Sequence, residues 1–399
     1  MNKYKINRLL IFVVLFSIVS LLADLFNSRF SMIDFEVYYR AANRILVGGE
    51  LYGIESDGHY LFHYSPNAGV FFIPFTWLKL NHSKYVYWLF ISLIFYYGTK
   101  LFSSLVYKIS NHSISEKNQD WIIICSLLAV LTHVHLELHL GQINLLLLMI
   151  YMTLVHCLYN NRKIFFSILL SMSIFIKPFG LIFIPYLIVK KRYKEMSLSI
   201  FFLILLSFLP ILFYHTFESY FELYTSWYRE LNTELNAKQN ILSPNNHTIF
   251  SVVARFTPLK HILINDTSRV IYQLTLLLSI GLLLLRFIKY NTSKSDMLSE
   301  MVILIGLIPL LAFTNDNAFL FVLPMIIYLA FNIHLMGFKA KSLFVIACLL
   351  IGANIYELVG KEVMLYLSSI SIYSFGAIIL IGLTFYCQRY LISPNKNSK

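Results

Sequence analysis

Apolar residues occupy this chain in long runs separated by short polar breaks. The first run, Leu9 to Phe26, is long enough to span a bilayer. Further runs near 85 to 107, 121 to 138, 142 to 159, 164 to 176, 179 to 189, 195 to 214, 269 to 288, 298 to 313, 318 to 333, 342 to 357 and 364 to 387 follow it. Together they predict an all-α, polytopic membrane protein of about twelve helices, within a range of roughly 11 to 13. Residues 66 to 84 carry a shorter apolar stretch that contains Pro74, and read as a partial or re-entrant helix.

Lysine and arginine clusters set the sidedness. Asn160 to Lys163, Lys190 to Lys194, Lys289 to Lys294, Lys339 to Lys341 and the C-terminal tail all fall on one face under a single parity, the cytoplasmic one. The N-terminus lies on that face too, because Lys3, Lys5 and Arg8 precede the first run, which reads as an uncleaved helix. Two long polar segments, 27 to 65 and 215 to 268, then face outward as loops of one transmembrane domain covering 1 to 399. The same parity sends Gly141-Gln-Ile-Asn144, Lys177-Pro178 and Thr314 to Asn317 outward, which predicts a single site there.

Between the first two long runs the period changes. Phe35, Tyr38, Tyr39, Ala42, Ile45 and Leu46 recur at three- and four-residue spacing, with Glu36, Arg40, Asn43 and Arg44 opposite. This predicts an interfacial amphipathic helix, with Glu36 and Arg40 paired at i, i+4 and Gly48-Gly49 ending it. Asp34 at its start has two readings: an N-terminal cap, or a carboxylate held at the membrane surface as general base for a hydroxyl nucleophile.

Composition sharpens the class. The chain is 58% hydrophobic and 13% charged, outside the range of soluble globules. Its net charge of +12 resides in short basic loops, so membrane lipids rather than nucleic acid are the expected partner. Cys125, Cys157, Cys348 and Cys387 lie in or beside apolar runs without CxxC spacing, which indicates neither a disulfide framework nor a zinc site. In Thr132 to Leu140, helical spacing pairs His135 with His139 and His133 with Glu137, in two directions. No metal is therefore expected, and Glu137 becomes a possible substrate contact at the end of a cavity-lining helix. There is no Asp-x-Asp triplet, Walker A motif or HExxH, and no cofactor is expected.

The stretch Asp34 to Gly53 followed by Phe62 to Leu78 resembles the N-terminal signature of glycosyltransferase family 87, polyprenyl-phosphate-mannose-dependent membrane enzymes of GT-C architecture. Asp34, Phe35, Val37, Tyr38, Ala41, Ala42, Gly48, Tyr52, Phe62, Tyr64 and Pro66 carry the likeness, with Pro74 beyond. "GQINLLLL" at 141 to 148, "KPFGLIFIPYLIVKKRY" at 177 to 193 and "NNHTIFSVVAR" at 245 to 255 extend it in order. His247 and Thr248 stand where the family usually has Gln and Ser. A histidine-bearing run common before a late helix is missing, and Asp316 is the candidate in its place.

The resemblance implies an inverting transferase that moves a sugar, usually mannose, from a polyprenyl phosphate to a glycolipid or glycan acceptor, with Asp34 as base. Its place would be the outer or periplasmic face of the cell (inner) membrane, in cell-envelope glycan synthesis. For the departing phosphate, Lys177 and Arg255 are the favoured cations, with Arg40 and Arg44 as rivals. Lys177 also reads as a lysine snorkelling from a helix end. Tyr52, Tyr64, Glu137, Gln142, Asn144, Asn246, His247 and Asp316 are the candidate sugar or acceptor contacts, with interhelical bonding and interfacial anchoring as the alternative for the first of these. A lipid-linked-sugar translocase or other transporter is the competing function. The gathering of polar groups at helix ends, away from a midplane site between repeats, argues against it.

Overall fold

The computed structural model describes residues 7–58, 61–110, 115–236, 240–261, 263, 265–290, 294–313, 315–353 and 360–392. Every regular element among them is helical. The chain falls into two compact units, one drawn from Met1–Val13, Thr99–His135 and Asn240–Lys399, the other from Val14–Gly98 and Leu136–Gln239.

Among the described residues, four helices are long and apolar enough to cross a membrane: α1 (Arg8–Phe26), α4 (Leu80–Ile109), the Tyr193–Leu212 helix that begins with α10 (Tyr193–Ser207), and α13 (Asp266–Tyr290). Two bent pairs raise the number to six if each is one span: α5 (Glu116–Leu128) with α6 (Leu131–Leu140), bent by 66°, and α17 (Lys361–Ser369) with α18 (Ile372–Ile392), bent by 56°. The count of about twelve is thus not met. The remaining runs form shorter helices, among them α7 (Asn144–Tyr159), α8 (Lys163–Ile176), α15 (Leu323–Phe331) and α16 (Phe338–Ile351). The longest of these four has 16 residues, about 24 Å of helix against a hydrocarbon core of about 30 Å. The stretch 354 to 357, the end of one sequence-predicted run, and the C-terminal tail lie outside the described residues.

Two of these runs are also enclosed by protein. In the first unit, α14 (Lys294–Leu311) beyond Glu300, and α15, are apolar and enclosed by protein: Met301, Val302 and Ile305, and Leu323, Met325, Ile327 and Leu329, are all fully covered. A helix that is hydrophobic all round is as consistent with a protein core as with a bilayer, and hydropathy alone does not separate them.

In the second unit the amphipathic pattern becomes α2 (Ile33–Leu46), which buries Phe35, Val37, Tyr38, Ala41, Ala42 and Ile45. Its apolar face meets an aromatic cluster, with Phe35 stacked on Tyr87 at 4.5 Å and edge-on to Phe75 at 5.7 Å. Gly48 at φ +65° closes the helix through Gly48 N–H to Ile45 O and Gly49 N–H to Arg44 O, the paired bonds of a Schellman cap. Residues 66 to 84 hold no full span: Ser65 caps the short α3 (Pro66–Phe71), a tight turn of helix follows at Ile73–Trp77, and α4 begins at Leu80.

Gly141 ties α2 to the turn before α7. It sits at φ +67°, and a Cβ there would lie 2.7 Å from the Phe35 Cβ and 3.1 Å from the Met32 Cε. Gly141→Ala should therefore combine backbone strain with overpacking and cost about 2 kcal/mol or more. Thermal unfolding in detergent should show a clearly lowered Tm, and an unchanged Tm would refute this close approach.

Candidate active site

Asp34 occupies the second position of α2 and does not cap it. The N-cap is Met32, in the left-handed region at φ 45°, ψ 54°, without a side-chain cap bond. The Asp34 carboxylate instead receives a hydrogen bond from the Gln142 side chain and the field of the Lys177 ammonium. Partial burial is the largest influence and raises its pKa above the ordinary 3.8, while Lys177 and Gln142 pull the other way.

Gln142 is oriented by its neighbours. Its Oε1 accepts from the Tyr38 hydroxyl at 3.3 Å and from the Ile143 N–H at 3.1 Å. The amide oxygen is thereby occupied, and the NH₂ end is what remains to face the Asp34 carboxylate. Tyr38 spends its one proton on Gln142, so the Tyr64 hydroxyl, 3.1 Å away, donates to Tyr38.

Lys177 follows the last turn of α8 in extended conformation, φ −144°, ψ 139°, and Pro178 starts a new helical turn. The sequence-predicted break is therefore present. Its Nζ donates to Asn144 Oδ1 at 2.7 Å and lies over the rings of Tyr64 at 5.7 Å and Phe179 at 5.6 Å. No carboxylate among the described residues comes within ion-pair distance of it. Asn144, 3% exposed, donates in turn to Glu137 Oε1 at 2.8 Å. Glu137 Oε2 accepts from the Leu145 N–H at 3.1 Å, at the start of α7. Glu137 is 1% exposed and so stands behind Asn144, out of reach of a ligand.

Arg40 is committed elsewhere. It binds Glu36 at 2.7 Å, the predicted i, i+4 pair, and Asp57 at 3.4 Å. Arg44 also holds Asp57, at 2.5 Å, and Lys84 holds Glu36 at 3.0 Å. The Arg44 and Arg40 bonds keep the Asp57 carboxyl below its usual range. For Glu36, burial pushes upward, but the bonds from Arg40 and Lys84 together win and lower it. Tyr52 supports the cluster from behind, donating its hydroxyl to the Tyr64 carbonyl at 2.7 Å.

The other named residues gather in the first unit. Thr248 caps α12 (Ile249–Phe256) through the Ser251 N–H, and Asn246 Oδ1 accepts from the Thr248 hydroxyl at 2.7 Å. Arg255 donates to the carbonyls of Ser369 at 2.6 Å and Asn246 at 3.2 Å, and to Ser371 Oγ. His247 is 2% exposed and bonds Asp316 Oδ1 through Nε2 at 2.5 Å. Of the histidine run, His133 bonds the Ile351 carbonyl at 2.9 Å in this unit, while His139 pairs with Asp24 at 3.1 Å in the other.

The structure thus brings Asp34, Tyr64, Gln142, Asn144 and Lys177 together in one unit, with Glu137 and Tyr52 behind them. Asn246, His247, Arg255 and Asp316 come together in the other. Lys177 and Arg255, expected to share one phosphate, belong to different units. Sequence reasoning passed over Tyr38, which it placed only on the apolar face of α2, and Ser368 and Ser371. For the two serines no local pattern could have given notice, since their partners come from distant segments.

Comparison with known proteins bears on this arrangement. No curated protein matches the chain. The model of glycosyltransferase family 87 matches residues 62–314, a segment that holds Tyr64, Gln142, Asn144, Lys177, His247 and Arg255 and begins after Asp34. The match covers more than half of the 399 residues, and the chain belongs to glycosyltransferase family 87.

Proposed function

We propose that the protein is an inverting glycosyltransferase of GT-C type that moves a hexosyl group, mannose by family likeness, from a polyprenyl phosphate to a hydroxyl of a glycolipid or glycan. The observation that carries this reading is Asp34, a partly buried carboxylate with raised pKa, in the field of a lysine that forms no ion pair among the described residues.

In the reaction the acceptor hydroxyl gives its proton to the Asp34 carboxylate as its oxygen attacks the anomeric carbon. The bond from that carbon to the phosphate oxygen breaks on the opposite face, and its electron pair leaves with the phosphate. Charge on the leaving group grows from about −1 to −2 in this step, and a lysine beside it stabilises the growth. Gln142 orients the base, and the Tyr64 and Phe179 rings limit where the Lys177 ammonium can go. A lipid monophosphate asks less of its site than a nucleotide diphosphate, so one lysine and amide donors suffice in place of a divalent cation. The lysine and arginine pattern favours the outer face of the cell membrane for this chemistry, with the N-terminus in the cytoplasm.

Asp34→Asn should lower transfer from polyprenyl-phosphate mannose by about 10²- to 10⁴-fold while donor binding stays near wild type. The raised pKa gives a control. A raised carboxyl contributes stability below its unfolded value of 3.8 and loses it as pH rises through the folded value. The Asn variant, unable to ionise, should be at least as stable as wild type at pH 7, so lost activity cannot be assigned to unfolding. Full transfer by this variant would remove Asp34 as base, and donor translocation without transfer would favour the transporter.

The acidic limb of the pH profile of kcat/KM should lie above an ordinary carboxylate. Lys177→Met removes the positive field that lowers Asp34 and should move that limb to higher pH; a limb that stays in place would separate the two residues. Cysteine labelling in a background without the four native cysteines should report cytoplasm at Lys190 to Lys194 and the outer side at Asn245. The opposite pattern would overturn the sidedness.

A further inference from the structure

In the first unit a row of hydrogen bonds runs from a cation to a carboxylate, and its direction follows from the chemistry of each member. The Arg255 guanidinium can only donate, and it donates to Ser371 Oγ. Ser371 is fully buried, and its own proton is available to His247 Nδ1 at 3.0 Å. With Nδ1 accepting, His247 carries its hydrogen on Nε2 and donates it to Asp316 Oδ1 at 2.5 Å. The ring cannot turn away, being wedged edge-on against Phe319 at 6.2 Å and Tyr373 at 5.9 Å. The second carboxylate oxygen, Oδ2, accepts from the Ser368 hydroxyl at 2.9 Å.

Ser371 and His247 lie inside the unit, but the Asp316 side chain is 33% exposed. An ionised carboxylate offers about four lone-pair positions. His247 and Ser368 fill one on each oxygen, which leaves acceptor capacity on both oxygens of a side chain that solvent reaches. Two parallel acceptors on one rigid group match two hydroxyls on adjacent carbons. We infer that Asp316 is a carbohydrate-binding carboxylate that accepts hydrogen bonds from a vicinal diol of a hexose, with His247 as the positioning residue that aims it. This rests on the chain being a glycosyltransferase, and it uses neither Asp34 nor Lys177.

The competing account is a staple that only fastens α12 and the Asp316–Val322 turn to the junction of α17 and α18. Two pairs of variants separate them. Asp316→Asn keeps an oxygen for His247 Nε2 and keeps the shape, but it loses the charge and one acceptor. His247→Gln can place an amide N–H where Nε2 stands, whereas His247→Asn cannot reach.

The probe is methyl α-D-mannopyranoside, titrated into full-length protein in detergent by saturation-transfer NMR, with Tm recorded for each variant. Asp316→Asn should weaken binding about tenfold or more at unchanged Tm. His247→Asn should weaken it similarly, and His247→Gln should restore most of it. Binding by Asp316→Asn equal to wild type would overturn the inference, as would a His247→Asn loss that tracks Tm alone.

Competition assigns the source of the diol. Displacement of the glycoside by a short-chain polyprenyl-phosphate mannose places the diol on the donor, and simultaneous binding places it on the acceptor. Transfer assays on the same preparations keep the two readings distinct. Asp316-dependent binding without transfer removes the polyprenyl-phosphate reading alone, and transfer with Asp316-independent binding removes this one alone.

Discussion

A carboxylate that is 1% exposed must have its oxygens paired, and Glu137 is such a group in the second unit. One oxygen takes the Asn144 amide and the other takes a backbone N–H in the first turn of α7. That demand fixes the Asn144 rotamer, the rotamer presents Oδ1 to Lys177, and Lys177 is held where its charge acts on Asp34. The ordering is cooperative: remove Glu137 and Asn144 is free to turn, after which the ammonium has only two ring faces to hold it. The glycine in front of this turn lets α2 approach closely enough for Gln142 to meet Asp34.

The local parts of this arrangement were legible in the sequence. The alternation in 35 to 46 located α2 and its buried face, Gly48-Gly49 marked its end, and Lys177-Pro178 marked a break. Each depends on neighbours within a turn or two, the range over which periodicity and backbone chemistry act. The helix start was read less well, because a buried methionine in left-handed conformation displaces the cap from Asp34. The number of spans was misjudged because several apolar runs end as helices too short to cross, and where a helix stops inside an apolar run is not carried by composition.

The pairing of His247 with Asp316 was hidden for a different reason. In this chain His247 stands where the resemblance leads one to expect Gln, and Asp316 stands in a stretch where a histidine is expected. Taken separately, each looked like a departure. In the fold they are 2.5 Å apart, so the two departures form one interaction. A single sequence offers no sign of such a pairing.

The ion pairs on the outer face of α2 carry a further consequence. Glu36, Asp57 and Lys84 are each less than 15% exposed, and each carboxylate is shared by two cations. Sheltered pairs of this kind are poorly screened by dissolved salt. The helix that bears Asp34 is therefore held to the turn at Asp57 and to the start of α4 by bonds that added salt leaves largely intact.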